Sequence, residues 1–515
     1  MRSAPFGEGA VYIDLEIEEA TERAPRTLAA AAALRAALPG ADVAVGAGTI
    51  LVVGPASEEE ARSIVLPALS EPPSSLEEPK SHVIKAVYDG PDLASSAEAL
   101  GLKPEALIEL HTGRDHVAEL LGFLPGFAYL GPIDDRLVLP RRPSPRPAVP
   151  AGSVAIAGSF TGIYPSRSPG GWNLIARAIG VDLFDPARDP PMLIAPGDPV
   201  RFVSIPAGET GDIDTAGLRP NTNIGEGGGG PSGAALEITA STVLSTIQDG
   251  GRPGQLGRGI PPGGPLDPVV FFAANRAVGN NPEAAAIEIM LGALRARARR
   301  EILVSVDGAQ AIKLKEGEEL RVEPNESAVR YVAVRGGVDV PALIGSRSTL
   351  LAARFGGLEG RPLRRGDLLA IGPDSACGSP ESPEAPPGFE VPAILEMDPG
   401  PHADRFPEGA LDVLLETQWT VSRLADRVGV RLEGGKIPRD RPDLALPVPM
   451  RRGAMQIATD GTPIILGPDH PVTGGYPVLA IVRRASQAVL ARLRAGAAVK
   501  LRLGQSEFAV TAPCR

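Results

Sequence analysis

Glycine and proline recur so often along this chain, 61 and 54 times in 515 residues, that few stretches can hold a long helix. Proline removes a backbone donor and clashes with the preceding helical turn, and glycine in a helix costs about 1 kcal/mol against alanine. Both suit tight turns between short strands. No collagen-like period or long low-complexity run accompanies them. The pattern therefore predicts a β-rich molecule. With 43% hydrophobic and 22% charged residues there is ample material for cores, and the length exceeds what one core serves, so three or four domains are expected.

The first eighty residues depart from this pattern. Val11–Glu16 alternates as a strand, Thr27–Leu38 reads as a helix, Thr49–Val53 as an apolar strand, and Ser57–Leu69 opens with a Ser-x-Glu-Glu cap. A β-α-β-α order makes this a small α+β module, closed by the linker EPPSSLEEPK. From His82 to Ile205 strands and turns dominate, interrupted by helices over Leu93–Leu100 and Lys103–Thr112. The stretch NTNIGEGGGGPSG then contains a literal GxGxxG at Gly225, Gly227 and Gly230. Without a strand before it or a helix after it, it reads as a tether rather than a dinucleotide site. Ala234–Gly372 is strand-rich with one helix, Pro268–Val278, and DSACGSPESPEAPPGFE leads to a last β-rich region. The division is 1–78, 79–210, a linker 211–233, 234–375, a linker 376–390, and 391–515.

Two segments echo one another. Gly152–Gly171 and Gly453–Gly475 each run from a glycine through strand residues and a turn to a Gly-Gly pair, followed by Trp172 or Tyr476. One β module used twice is the simplest explanation.

The net charge of −11, without a basic stripe, argues against a nucleic-acid partner. The Ala-rich run at Thr27–Leu38 is too short to span a bilayer, and residues 1–10 lack signal-peptide character, so no membrane association is expected. Two cysteines, Cys377 and Cys514, form no metal or disulfide framework and fit a reducing, cytoplasmic setting. Five scattered histidines predict no metal site. The chain contains no GxxxxGK[ST], HExxH, GxSxG or biotin-carrier Met-Lys-Met.

More specific strings remain. His111 precedes LGFLPGFAYLG, then LPRRPSPRPAVPAGSVAIAG and IYPSRSPGGW. This run resembles the B subunit of bacterial 5-oxoprolinase, also known as KipI or allophanate-hydrolase-like subunit 1. Further on stand IQDGGRPGQLGRGIPPGGPLD, AANRAVGNNPEAAAIEI, RGGVDVPALIGSRSTL, FGGLEGRPLRRGD, SRLADRVGVRLEG, GAMQIATDGTPIIL and DHPVTGGYP. These resemble the C subunit of the same enzyme, KipA or allophanate-hydrolase-like subunit 2. The chain thus looks like a natural B–C fusion. The resemblance implies a mainly β fold: a small α+β N-terminal domain and repeated cyclophilin-like β-barrels, one in the B part and two in the C part. It also implies an ATP- and Mg²⁺-dependent opening of 5-oxo-L-proline to L-glutamate with a separate A subunit of the LamB/YcsF type. Alternatives within the resemblance are a regulator of a sensor histidine kinase, and hydrolysis or carboxyl transfer on a urea-like amide. A homo-oligomer is compatible with all of these.

A lactam is resonance-stabilised, so its opening needs an activated carbonyl, donors for developing charge and a positioned carboxylate. Gln248, Asp249 and Arg252 could hold a metal or a substrate carboxylate, or brace a Gly-rich loop. Asp267 precedes Pro268 and reads as a helix N-cap or a substrate ligand. Asn275, mid-helix, is the leading candidate for contacting an amide. Glu288, in AAIEIM, is a site base or a buried paired carboxylate. Arg141 and Arg146 border Pro-rich turns and could bind an anion or be solvated. His111 closes a helix, either as a ligand or as a cation at its C-terminus. In the last region Gln456 stands among apolar neighbours, whereas Asp460-Gly461 is a hairpin signal. Asp469 precedes Gly474, Gly475 and Tyr476, and these three, with Gly170 and Gly171, are expected to line a cleft between the B and C parts. Catalytic roles are expected for Asp249, Asn275, Glu288 and Gln456, substrate binding for the others. The chain departs from the family pattern at His116, Glu119, Pro447, Ser486 and Arg492, which bears on the substrate more than on the fold.

Overall fold

The computed structural model describes residues 1–70, 78–207, 233–242, 244–381, 388 and 390–504. The glycine run with Gly225, Gly227 and Gly230, Cys514, and parts of the three linkers lie outside the described residues. Among the described residues no helix is long and apolar enough to cross a membrane.

The N-terminal module is an antiparallel sheet ordered Arg2–Pro5, Ala10–Asp14, Thr49–Val53, Asp42–Val45, with helices Ala20–Ala37 and Glu58–Ser70. Two strands, Arg2–Pro5 and Asp42–Val45, extend the expected β-α-β-α order, and the first helix begins seven residues before Thr27. The second helix is capped as its sequence predicts, Ser57 Oγ accepting from the Glu60 N–H at 3.1 Å. Side chains alternate across a strand, and here both faces are used. Val11, Ile13, Val43, Val45, Ile50 and Val52 pack with Leu28, Leu34 and Val65 of the helices, in a core that continues to Phe127 and Tyr129. Tyr12, Ala44 and Leu51 face the other way, onto Val448, Met450, Val472 and Ile481 near the C-terminus. Burial on both sides explains why TILVV is continuously apolar rather than alternating.

Two closed seven-stranded barrels follow, one from His82–Val87 to Pro199–Ser204, the other from Ala393–Pro399 to Ala498–Leu503. Numbered in chain order within each barrel, the strands ring both in the order 1-6-4-5-3-2-7, closed by a parallel pairing of first and last. Each barrel also carries a two-stranded ribbon: Arg146–Val149 with Ser168–Gly170 in the first, Val448–Pro449 with Thr473–Gly474 in the last. The sequence echo is therefore a shared topology, with the Gly-Gly pairs on equivalent ribbons. Between the barrels lie two five-stranded sheets around a common core of Ile238, Ile287, Ile289, Val304 and Val332. This middle unit does not close into a ring as its neighbours do. Its helix Pro268–Ala277 starts at the predicted Asp267 cap, whose Oδ1 accepts from the Val269 and Val270 N–H groups.

Because the N-terminal sheet touches both barrels, it sets them facing each other. The first barrel is pinned to the first helix of the N-terminal module by a buried bidentate pair, Arg23 Nε and NH2 donating to Glu119 at 2.7 and 2.8 Å. The last barrel is joined through the Ala47 N–H to the Pro447 carbonyl at 2.9 Å and by Arg451 donating to the Phe6 carbonyl at 2.8 Å.

Candidate functional site

Between the facing barrels lies a cleft of about 540 Å³. The first barrel lines it with Phe123, Phe127, Tyr129, Phe160, Tyr164 and Trp172, together with Arg141 and the Gly170–Gly171 turn. The last barrel contributes Leu444–Pro447, Met450, Gln456, Thr473 and the Gly474–Gly475–Tyr476 turn. The first wall is an aromatic cage: Phe127 meets Tyr129, Tyr164 and Trp172 edge to face at 5.1, 5.4 and 5.3 Å between centroids. Such pairs add rigidity beyond area burial.

Each Gly-Gly turn has one closed and one open member. A Cβ on Gly170 would lie 2.4 Å from Tyr164 Oη, and one on Gly474 would lie 2.5 Å from Gln456 Nε2. On Gly171 the nearest atom would be 3.8 Å away, and on Gly475 it would be the Arg141 guanidinium at 3.6 Å. Arg141, from the first barrel, thus reaches over the glycine turn of the last. It makes no hydrogen bond or ion pair to any described residue. Gln456 Nε2 has only long contacts, 3.4 Å to the Tyr476 carbonyl and 3.4 Å to Met450 Sδ, and its Oε1 bonds to no described residue. Thr473 Oγ1 bridges the barrels, accepting from the Phe123 N–H at 3.1 Å and donating to Tyr129 Oη at 3.4 Å. Burial pushes the Tyr164 phenol up to about 12, so it stays protonated. The lining carboxylate, Asp443, is already paired with Arg439 at 2.8 Å. The cleft can therefore hold an anion, hydrogen-bond an amide and exclude water, but its own walls supply no free base.

Seven sequence-predicted residues meet here: Arg141, Gly170, Gly171, Gln456, Gly474, Gly475 and Tyr476. The others lie outside this cleft. Arg146 donates to the Asp92 carboxylate at 2.6 Å, so its charge is taken up within the first barrel. His111 sits fully buried inside the first barrel. Thr161 Oγ1 donates to the Ala155 carbonyl, so it accepts from His111 Nε2 at 2.8 Å, leaving Nδ1 to accept from Tyr88 Oη at 2.7 Å. Burial then holds this imidazole well below its usual pKa, with His116 adding to the effect; it is a satisfied neutral core histidine.

The three residues expected to be catalytic in the middle unit lie outside the cleft, each held by bonds within the fold. Asp249 accepts from Ser346 Oγ, Ser348 Oγ, and the Gly251 and Arg347 N–H groups, bracing a loop. Asn275 donates to the Pro282 and Ala284 carbonyls and accepts from Asn280, fixing the turn after its helix. Glu288, fully buried, accepts from Tyr331 Oη, the Leu266 N–H and Arg427. Arg427 also grips Asp469 through two bonds of 2.8 and 2.9 Å. Burial alone would lower the Arg427 pKa, but Asp469 and Glu288 outweigh it and push it up. Asp267, besides capping, pairs with Arg492. Gln248 donates to Thr246 Oγ1 and the Thr349 carbonyl inside the middle unit. Arg252 stacks on Phe355, 4.7 Å from its centroid, and donates to the Ser348 carbonyl.

Of the family departures, Pro447 lines the cleft, while Glu119, Ser486 and Arg492 make buried structural bonds. His116 donates from Nε2 to the His111 carbonyl at 3.0 Å. Sequence reading did not select Phe127, Tyr129 or Thr473. The available signal was the string LGFLPGFAYLG, which supplies Phe123, Phe127 and Tyr129 of the aromatic wall; a Cβ on its Gly122 would lie 2.2 Å from Thr473 Oγ1, so that glycine lets the barrels touch.

Comparison with known proteins agrees with this layout. The family model "Carboxyltransferase domain, subdomain C and D" matches residues 1–194, and "Carboxyltransferase domain, subdomain A and B" matches residues 258–503. The N-terminal part is similar to the 5-oxoprolinase B subunit of Escherichia coli O157:H7, 51% identical over 131 residues, 24% of this chain and 60% of that protein. The chain thus spans less than two thirds of that relative. The C-terminal part is similar to the 5-oxoprolinase C subunit of Escherichia coli K12, 33% identical over 279 residues, 51% of this chain and 88% of that protein. A crystal structure of a protein designated TTHA0988 matches with a TM-score of 0.80 at 32% identity, covering 96% of this chain and 99% of that one. The chain belongs to the carboxyltransferase-domain family and joins a region related to the 5-oxoprolinase B subunit to one related to the C subunit.

Proposed function

We propose that this protein is the B–C component of an ATP-dependent 5-oxoprolinase, opening 5-oxo-L-proline to L-glutamate together with a separate A subunit. The observation that carries the reading is the cleft shared by the two barrels, with an unpaired arginine, an underused carboxamide and aromatic walls. 5-Oxo-L-proline is a small ring bearing one carboxylate and one secondary amide. Arg141 would hold the carboxylate by a two-point fork. Gln456 would meet the lactam, Nε2 donating to its carbonyl oxygen or Oε1 accepting from its N–H. Tyr164 and Trp172 would flank the ring and keep bulk water away.

Hydrolysis adds one water: the C–N bond breaks, hydroxide ends on the carbonyl carbon and a proton on nitrogen. ATP, when bound, would supply the driving force by activating the lactam carbonyl carbon toward water, with ADP and phosphate as its products and a second water consumed in their release. The residues of this cleft position and polarise the amide. A base for the water has to come from outside the cleft walls, which supports the need for a further protein component. Among the described residues no group of three or more His, Cys, Asp or Glu could hold a metal, so Mg²⁺ would arrive with the nucleotide.

The test combines this chain with a cognate A subunit, ATP, Mg²⁺ and 5-oxo-L-proline and follows glutamate. Glutamate above either component alone is expected; its absence, with both proteins folded, would refute the reading. The family description favours one alternative, carboxyl transfer to an amide nitrogen. Turnover of carboxybiotin with urea or a related amide, without glutamate formation, would establish that instead.

A further inference from the structure

Behind the cleft wall lies a second pair of cavities, of about 440 and 460 Å³, adjoining at Ala41, Asp42 and Gly254. They are bounded by the N-terminal module, the loop containing Pro253–Arg258, and the last barrel. The last barrel's segments 447–452 and 470–476 serve both sides: Met450 and Pro471 line the aromatic cleft, while Arg451, Arg452 and His470 line the cavity behind it.

The charge of this place is unusual for a chain with a net charge of −11. Four guanidinium groups line it, Arg35, Arg258, Arg451 and Arg452, and none forms an ion pair with a described carboxylate. Arg451 is only 8% exposed, and its NH1 donates to the Phe6 and Glu8 carbonyls. Arg452 spends NH1 and NH2 on the Pro265 and Leu266 carbonyls. Burial, with repulsion from Arg484, lowers Arg451 to about 10. The lining carboxylate, Asp42, accepts from the Leu256 N–H at 3.1 Å and also attracts Arg35, which leaves Arg451, Arg452 and Arg258 as the cations facing the cavity. In the same wall His470 is 1% exposed and donates from Nδ1 to the Pro471 carbonyl at 2.9 Å. Its Nε2 is buried and has no partner among the described residues. Arg451, buried without an ion pair, is costly unless a ligand compensates it, while Arg35 and Arg258 reach the surface; guanidinium forks match tetrahedral oxyanions.

We propose that this cavity pair binds a phosphate-type oxyanion, either free phosphate or the phosphate chain of a nucleotide. Arg451 and Arg452 would contact it from the last barrel and Arg258 from the loop rim. The His470 Nε2 would accept from a protonated phosphate oxygen or a hydroxyl on the ligand. The inference stands apart from the reading of the cleft, because it rests on different side chains and is tested by binding rather than turnover.

Calorimetric titration of the full chain with inorganic phosphate, pyrophosphate and ATP tests it. Saturable binding of at least one, below about 1 mM, is expected. Equal affinity for pyrophosphate and ATP would identify the phosphate chain as the recognised group; ATP bound about tenfold more tightly would add the nucleoside. Arg451→Gln and the rim variant Arg258→Glu should each weaken binding, by about tenfold and about threefold, whereas Arg141→Gln in the cleft should not. A loss in either variant that unfolds at the wild-type temperature supports the site. No saturable binding, or unchanged affinity in every variant that folds, would overturn it.

Discussion

The two closed barrels share a ring order and a glycine ribbon, yet they present opposite chemistry to the cleft. The first offers a cage of interlocking rings around Phe127 and Trp172. The last offers Leu446, Met450, Gln456 and Thr473, a softer wall with two hydrogen-bonding side chains. In both, the first glycine of the pair is packed against its own barrel and the second is open. The backbone solution is duplicated, the side chains are not, and the site lies where the unlike copies meet. Function in this molecule belongs to the pairing of the barrels rather than to either barrel alone.

The barrels are also anchored differently, and that difference sets the largest expected effect. Arg427 of the last barrel neutralises two buried carboxylates, Glu288 and Asp469, whereas Arg23 neutralises only Glu119 of the first barrel. Arg427→Met should lower unfolding free energy by about 3–5 kcal/mol, more than Arg23→Met, as measured by urea denaturation. Equal losses would mean that the second carboxylate is relieved in some other way.

The glycine pairs come next. Gly170→Ala and Gly474→Ala force a Cβ into Tyr164 or Gln456 and should cost about 1–3 kcal/mol each. Gly171→Val projects into open space, so it should abolish activity while leaving thermal unfolding largely unchanged. A stability loss at Gly171 as large as that at Gly170 would make both turns structural corners. Arg141→Gln should raise KM for 5-oxo-L-proline about tenfold with little change in kcat, the pattern of a binding group.

The smallest effect per residue is a pH dependence. Burial holds His111 well below 6.5 in the first barrel, and takes His402 and His470 of the last to about 4. The unfolded chain therefore takes up protons that the folded chain refuses. For these groups stability is fully present above the unfolded pKa of about 6.5 and is lost as pH falls below it. The slope is at most about 1.4 kcal/mol per histidine per pH unit. Urea midpoints at pH 7 and 5.5 should show the decline, and replacing His111 by Gln should reduce it. A decline that survives unchanged would assign it to other groups.

Much of the architecture was legible because local signals decide it. Thr49–Val53 is a strand and Ser57 and Asp267 are caps, as their sequences predict. The short helices Ala410–Glu416 and Arg484–Arg492 were not predicted, since neither begins with a side-chain cap. For the site, the Gly-Gly-aromatic echo pointed to the cleft because duplication leaves a mark in sequence. The polar motif residues stand apart from the cleft for a physical reason. Glu288 meets Arg427 and Asp267 meets Arg492 across 139 and 225 positions, and sequence spacing carries no trace of such partners. A buried carboxylate that braces a domain junction and one that abstracts a proton look alike until the partner is seen.

The central claim, that the substrate sits between the barrels, is tested most directly by crystals soaked in 5-oxo-L-proline. Ligand density between Trp172 and Tyr476, with the carboxylate on Arg141 and the lactam on Gln456, is the predicted result. Ordered ligand at the Asp249–Arg252 loop or beside Glu288, with the cleft free of it at saturating concentration, would contradict it.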